Sequence, residues 1–323
     1  MATLMPQINI NLTGVEANEI LFDPIFMDGG SMTDFKVYPN VKKGAQKIYH
    51  VTELENIVRE KTGCGFDPIG NMNIYDREIR VYEAKVELEQ CIDEFEDTVF
   101  QTLLKSGNLR RDIQGTEIMN ILSSQVQMAT AKDLKAMLWF GNKATGAGRL
   151  KVVDGLLSVH IPNLVAANLC PYKNAGSGSA LNAGDARIIL TDVYDNQAEA
   201  LYGMDDSQKV FYVSRSVYSQ LRADMEAIGA TGGFTSDIES GRRIDRFRGI
   251  KIEQKVQWDS LSTANSHYVV LTNPKNIVVG TDIMGDASRF KVWYNEEQEM
   301  VRIKATFMLG VDYVHPSLFS VAY

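Results

Sequence analysis

The chain has 323 residues, of which 45% are hydrophobic and 23% are charged, and its formal net charge is −8. This composition is typical of a globular protein of about two domains with a sizeable core. The charge argues against an overall attraction to nucleic acid. The N-terminus lacks the pattern of a secretion signal, and no apolar run approaches the ~20 residues of a membrane span.

The first 90 residues predict extended structure with little core of its own. Residues 1–35 hold scattered apolar residues without a sustained period, and we interpret them as an arm that is ordered by lying on something else, such as a neighbouring copy. Residues 36–90 predict a long excursion with a turn-rich tip, TGCGFDPIGN, that ends in a strictly alternating strand. The apolar face of that strand consists of Tyr82, Ala84, Val86 and Leu88. Because a lone ribbon is only marginally stable, we expect this face to contact a second subunit.

Residues 91–150 predict two helices followed by a loop. In the first helix, apolar residues recur at three- and four-residue steps from Ile92 onwards. The second is predicted from an N-cap at Thr116 to a stop at Gly141. At ~1.5 Å per residue, this second helix is on the order of 35 Å long, which makes it the longest predicted element.

The rest of the chain predicts strands and helices in alternation. KVVDGLLSVHIP predicts a pair of strands, and ARIILTDVYDNQAEALYG has helical spacing. KVFYV predicts a strand before a helix, and GIKIEQ, HYVVLT and NIVVGT predict three more strands. The segment VRIKATFMLG alternates as a half-buried strand that ends at Gly310, before a second extended run to Pro316. Without a regular βαβ repeat, this order predicts an α+β fold.

No motif for catalysis, metal binding or a cofactor emerges, and we predict that the protein is not an enzyme. The four histidines, His50, His160, His267 and His315, have no second ligand at metal-site spacing. No nucleophile elbow or phosphate loop is present, and the three cysteines are unpaired in spacing and expected to be buried thiols. The acids of CIDEFED flank an apolar helical face and are expected to line solvent. Trp139, Phe140, Tyr212 and Tyr218 are expected in the core.

One basic cluster, GRRIDRFR, is a candidate contact surface. Its four cations are Arg242, Arg243, Arg246 and Arg248. They can contact phosphates, or they can pair with acids of a neighbouring subunit, and the acidic character of the chain favours the second interpretation.

The order of all these segments resembles the major capsid proteins of tailed bacteriophages, whose fold is shared by encapsulins and the herpesvirus capsid floor. The resemblance covers nearly the whole chain. It rests on the arm and loop, the helix ending in LWFGN, and then DGLL, FYVSRSVYSQLRADM, FRGIKI, VVLTNPKNIVVGTD and LGVDYVHP. It implies an N-terminal arm at 1–35, an extended β-hairpin loop at 36–90, a peripheral domain with the spine helix at 91–150 and 276–323, and an axial domain at 151–275.

The resemblance implies a structural protein that assembles as hexamers and pentamers into an icosahedral shell around double-stranded DNA. It places the protein in the virion, after assembly in the host bacterial cytoplasm. The implied partners are further copies of the chain, a portal protein, a separate scaffolding protein and decoration proteins, with only weak contact to packaged DNA and none to membranes. The start MATLMP favours a separate scaffold over a cleaved pro-segment. The alternatives are an encapsulin-type compartment for cargo enzymes, an enzyme with an unmarked site, and a soluble binding module.

Overall fold

The structure, a computed structural model, describes most of the chain beyond residue 116 and several segments before it. The described residues are 9–13, 35–39, 41, 45–51, 58, 60, 74–91, 117–176, 180–228, 246–261, 267–281, 289–295, 297–298 and 300–323. The first predicted helix, its CIDEFED acids beyond residue 91, and the tip of the extended loop lie outside these residues.

Within the described residues the fold is α+β, as predicted. The strands are β1 Asn9–Thr13, β2 Lys36–Tyr38, β3 Ala45–Val51, β4 Ile74–Arg80, β5 Tyr82–Cys91, β6 Tyr172–Lys173, β7 Val210–Ser214, β8 Arg246–Phe247, β9 Ile250–Lys255, β10 Val269–Thr272, β11 Ile277–Thr281, β12 Arg289–Asn295, β13 Met300–Tyr313 and β14 Phe319–Ala322. The α-helices are α1 Glu117–Phe140, α2 Ile161–Ala166, α3 Asp185–Asp195, α4 Glu199–Tyr202, α5 Arg215–Ile228 and α6 Trp258–Leu261.

The first sheet is built around β13, the strand whose sequence alternates near the end of the chain. Its order is β1-β12-β13-β11-β2, and β5 joins it by pairing with β13 over ten residues, Tyr82 to Cys91. β1 pairs with β12, so this part of the predicted arm has a partner in its own chain. The strand also runs without interruption through Gly310, so the predicted break there is wrong.

Gly310 permits a close approach of two backbones rather than a turn. A Cβ atom at this position would lie 2.2 Å from the carbonyl oxygen of Arg80 and 3.2 Å from the Cα atom of Val81. Arg80 and Val81 join β4 to β5, so this junction lies directly against β13. A side chain on residue 310 would push the two strands apart, which explains a glycine inside a regular strand.

The second sheet has the order β6-β14-β10-β7-β9-β8 and separates two hydrophobic clusters. Along β7, Val210 and Tyr212 belong to the cluster around α1, whereas Phe211 and Val213 belong to the cluster beneath α3 and α5. All five residues of β7 are buried. Because β7 is covered on both faces, neither face contacts solvent, and its sequence is therefore a continuous apolar run.

The C-terminal strand belongs to this second sheet. β14 lies between β6 and β10, so the predicted return segment 276–323 divides between the two sheets at about residue 316. The preceding strand β13 remains in the first sheet. The chain therefore crosses from one sheet to the other just before it ends.

The long helix α1 confirms the prediction for its described part. It has 24 residues, which corresponds to ~36 Å, and it ends at Phe140 before Gly141. A Cβ atom on Gly141 would lie 2.2 Å from the carbonyl oxygen of Val153, and one on Gly155 would lie 2.8 Å from that of Trp139. The two glycines therefore let the segment after α1 fold back onto the end of the helix.

That segment is helical, so the pair of strands predicted for 151–162 is wrong. A π-helical stretch, Leu156–His160, continues into α2. Leu156, Leu157, Ile161 and Leu164 are all buried, and the steps from Leu157 to Ile161 and from Ile161 to Leu164 are each about one helical turn. A short apolar run with several β-branched residues fits a strand or a buried helix equally well, and the contact with α1 decides for the helix.

An aromatic cluster fills the space between α1 and the second sheet. The Trp139 ring lies 4.8 Å from that of Trp258 and 5.4 Å from that of Tyr212, and Phe140 lies 5.4 Å from Tyr268. The predicted core positions of Trp139, Phe140 and Tyr212 are confirmed, and Tyr218 packs partly buried against the second cluster.

Candidate functional site

The antiparallel hairpin formed by β3 and β4 is a two-stranded sheet of its own. Its strands pair antiparallel from Ala45–Arg80 to Val51–Ile74, and Lys47 Nζ lies 2.6 Å from Asp76 Oδ2. On one face Ile48 and Ile79 are buried against Val278 of β11. On the other, the Tyr49 side chain is 64% exposed. The base of the hairpin is thus packed on its own chain, while a large apolar side chain points outwards.

A partly buried ion pair anchors this hairpin to β13. Arg77 Nε lies 2.6 Å from Asp312 Oδ1, and the Arg77 guanidinium lies 3.6 Å from the centre of the Tyr313 ring. Asp312 is buried and also accepts the backbone N–H of Tyr313. His160 Nδ1 lies 3.7 Å from the same carboxylate oxygen, and burial lowers the pKa of His160. Sequence analysis missed this anchor, because 235 residues separate the two ion-pair partners.

The predicted contact face of β5 is largely covered within its own chain. Ala84 is buried, and Tyr82 and Val86 pack partly buried against the main core beside β13. Only Leu88 remains exposed, at 46%. Within the chain, β13 supplies the hydrogen-bonded partner strand of β5. That the face of Tyr82, Ala84, Val86 and Leu88 contacts a neighbouring subunit stays a prediction, and Leu88 is its most exposed member.

The opposite face of β5 carries paired charges. Arg302 Nε lies 2.6 Å from Glu89 Oε1, and Glu87 lies 3.2 Å from Lys304 Nζ and 2.6 Å from Lys85 Nζ. Hydrogen bonds from Lys85 and Lys304 lower the pKa of Glu87. Such exposed pairs contribute little stability, and they favour the observed strand register over a shifted one.

The basic cluster is only partly described. Arg242 and Arg243 lie outside the described residues. Arg246 is exposed on β8, and Arg248 forms the two-residue turn to β9 with Gly249, with φ values of 49° and 87°. Arg248 Nη1 lies 2.6 Å from Asp195 Oδ1, so this cation already pairs within its own chain. A contact of the four arginines with a neighbouring subunit stays a prediction.

One arrangement of serine, histidine and aspartate has the composition of a hydrolytic triad but not its geometry. Ser216 Oγ lies 2.9 Å from His267 Nδ1. Asp259, however, accepts hydrogen bonds from the backbone N–H of Ser216 at 2.8 Å and from its hydroxyl at 3.3 Å. In a triad the carboxylate orients the imidazole, whereas here it binds the serine. The Asp259 carboxylate therefore accepts a hydrogen bond from a backbone N–H in the first turn of helix α5, which has no partner within the helix.

Among the described residues, neither the cleft below nor any group of potential metal ligands provides a further chemical site. A shallow cleft of about 510 Å³ has no carboxylate, thiol or hydroxyl side chain in its lining. Its lining residues are Phe35, Lys36, Asn273, Lys275, Asn276, Val314, His315 and Leu318. The described part of the chain holds no cluster of potential metal ligands and no helix that is long and apolar enough to span a membrane.

Of the two described cysteines, Cys170 has the expected burial, whereas Cys91 is only partly buried. Cys170 is buried and unpaired, and burial raises its pKa to about 12. A thiol with so high a pKa is a poor nucleophile at neutral pH. Cys91 is partly buried and unpaired, and Cys64 lies outside the described residues.

Comparison of the sequence with protein-family models and with curated proteins finds no match. Solved structures do match. The procapsid of satellite phage P4, Gordonia phage Cozz and the capsid of the native GTA particle align with 94%, 90% and 99% of this chain, and with 98%, 84% and 95% of theirs. The TM-scores are 0.55, 0.57 and 0.56, at 13%, 14% and 15% sequence identity.

The chain has the fold of phage capsid proteins. The similarity extends over most of the length of both partners. At these identities it concerns the fold alone, and it confirms the α+β capsid fold that the order of the sequence segments predicted.

Proposed function

We propose that this chain is the major capsid protein of a tailed bacteriophage, a structural protein that assembles as hexamers and pentamers into an icosahedral shell around double-stranded DNA. The observation that supports this most is the alignment of 90% or more of the chain with capsid structures. The protein then acts through contacts between copies, without enzyme activity, and its place is the virion after assembly in the host cytoplasm.

The hairpin and the exposed end of β5 support a role in contacts between subunits. Tyr49 on the hairpin is 64% exposed, Val58 beyond it is 91% exposed, and Leu88 on β5 is 46% exposed. Large apolar side chains in such positions gain free energy when a neighbour covers them, by about 25 cal/mol per Å² of apolar surface. A closed symmetric shell covers the same surface on every copy.

The division into domains follows the same proposal. The arm is about 1–35, the extended loop about 36–90, and the peripheral domain contains α1 and the first sheet. The axial domain is centred on the second sheet, which includes β14 at the C-terminus. A portal protein, a separate scaffolding protein and decoration proteins are the further proposed partners.

Electron microscopy of the expressed chain, alone and with the products of neighbouring genes, tests the proposal. We expect closed shells, and we expect Leu88→Asp to give soluble, folded protein that assembles poorly. Leu169→Asp is the matched control, because Leu169 is similarly exposed, at 52%, but follows helix α2 and is not part of β5. Val86 is unsuitable for this test, because its side chain packs against the core of its own chain.

The contents of purified particles separate the two shell functions. Double-stranded DNA supports a virion, whereas a copurified enzyme identifies an encapsulin-type compartment. Protein that stays monomeric under all expression conditions contradicts both functions and favours a binding module or an enzyme.

A further inference from the structure

One edge of the second sheet carries exposed positive charges that share a face. Arg246 on β8 and Lys251 on β9 are cross-strand partners, and both are exposed. Along β9, Ile250 and Ile252 belong to the second hydrophobic cluster. Lys251 and Lys255 therefore lie on the opposite face, which is the face towards α1, at a separation of ~13 Å along the strand.

The charges continue onto the long helix α1. Lys255 Nζ lies 4.7 Å from the centre of the Tyr212 ring, and that ring lies 5.4 Å from the ring of Trp139 on α1. Lys135 precedes Trp139 by one helical turn and so lies on the same side of the helix. Lys132, which is exposed, lies one turn further along. We call Arg246, Lys251, Lys135 and Lys132 the basic strip.

Two acids that neighbour the basic strip in sequence are already paired. Glu253 Oε1 lies 2.5 Å from Lys255 Nζ, so the two charges of this buried pair neutralise each other. Asp133 lies 2.5 Å from Arg149 Nη1. Among the described residues, no carboxylate forms an ion pair with Lys132, Lys135 or Lys251. Burial, together with the charges of Lys135 and Lys251, lowers the pKa of Lys255 to about 8, which agrees with a locally positive field.

We propose that the basic strip binds the phosphate backbone of double-stranded DNA; this inference rests on the proposed function. Four separated cations over ~20 Å fit a regular polyanion rather than one small anion, because a duplex carries a phosphate charge every ~1.7 Å of its axis. Lysines on flexible stems contact phosphates without reading sequence.

The same features argue against an acidic protein segment as the partner. Protein interfaces obtain most of their binding free energy from a few buried aromatic or arginine anchors, and the strip consists of separated charges. The net charge of −8 predicts only weak contact with DNA. The strip shows how an acidic chain can hold the duplex locally while the rest of its surface repels it.

Two double variants of equal charge test the proposal. Lys132→Glu/Lys251→Glu reverses two charges of the strip, whereas Lys36→Glu/Lys275→Glu reverses two lysines that line the cleft. The net charge falls equally in both variants. Binding of a fluorescently labelled 20-bp duplex to unassembled subunits is measured by anisotropy over a range of salt concentrations, and circular dichroism confirms that both variants are folded.

We expect the logarithm of the wild-type affinity to fall with the logarithm of the salt concentration with a slope of about −3 to −4, as four phosphate contacts require. The strip variant should lose at least about tenfold in affinity and about half of this slope. The affinity of the cleft variant should stay within about twofold of the wild-type affinity, once the wild-type affinity is corrected for the change in net charge. Equal losses in both variants, or no binding by the wild type, would overturn the proposal.

Shell assembly of the same preparations separates the possible failures. If the wild type binds no duplex but the strip variant alone fails to assemble, the strip holds an acidic protein partner and the DNA proposal is wrong. If no preparation forms shells, the proposed function is wrong. Duplex binding by the subunits is then judged separately, from the salt dependence of the measured affinity.

Discussion

Gly310→Ala tests how the hairpin is seated on the first sheet. The added Cβ atom would lie 2.2 Å from the carbonyl oxygen of Arg80, and an ordinary contact begins near 3.4 Å. The junction of β4 and β5 must therefore move by about 1 Å, and since it consists of backbone, no side-chain rotation relieves the clash. Overpacking of this kind costs about 1–3 kcal/mol. The shift also strains the ion pair of Asp312, two residues away.

Two further glycines provide controls for this substitution. A Cβ atom on Gly280 would meet the side-chain ends of Ile79 and Val81 at 2.9 and 3.0 Å, which can shift at a smaller cost. A Cβ atom on Gly203 would meet a backbone oxygen at 3.4 Å, which is an ordinary contact. Gly203→Ala should therefore stabilise the protein by about 0.4–1 kcal/mol, because alanine lowers the conformational entropy of the unfolded chain.

Guanidinium unfolding of soluble subunits, followed by tryptophan fluorescence, measures these differences. Trp139 and Trp258 are both buried in the aromatic cluster and report the loss of the core. We expect the transition of Gly310→Ala to occur at the lowest denaturant concentration and that of Gly203→Ala at the highest. If Gly310→Ala unfolds at or above the wild-type concentration, the close approach of Arg80 to β13 is refuted.

Three other predictions concern buried ionisable groups. Arg77→Met should lower the free energy of denaturant unfolding by about 3–5 kcal/mol, because Asp312 loses its cation. Asp312→Leu in the same chain should recover most of this loss. A double variant whose loss equals the sum of the two single losses would contradict the prediction. Native protein at pH 8 should leave Cys170 unmodified by iodoacetamide, as peptide mass spectrometry reads out, and labelling at the rate of unfolded protein would exclude its burial. Lys255 has a pKa lowered from 10.5 to about 8, so the unfolded chain binds more protons between these values. The free energy of unfolding of the wild type should therefore rise over that range by about 3 kcal/mol relative to Lys255→Met, and parallel pH profiles would contradict the shift.

The local pattern of apolar residues was sufficient to predict the elements whose burial follows a regular pattern. The helix α1 and the strands β7, β9, β10 and β11 were predicted close to their observed bounds, because α1 has helical apolar spacing, β9 alternates in part, and β7, β10 and β11 are short apolar runs. The order of these elements then predicted the capsid fold. The pattern failed at Leu156–His160 and at Gly310, where the conformation depends on a distant neighbour, the end of α1 in one case and Arg80 in the other.

The sequence by itself determined the residues that can form an interior, the lack of a catalytic or metal-binding motif, and the succession of strands and helices. Only the tertiary structure decided which surfaces remain free. It covered Ala84 of β5 with the chain's own β13, left Leu88 exposed, and joined Arg77 to Asp312 across 235 residues. It also placed Lys135 of α1 and Lys251 of β9 where the charges of both act on Lys255. The physical reason is that burial and charge proximity depend on distances in space, which sequence separation does not contain.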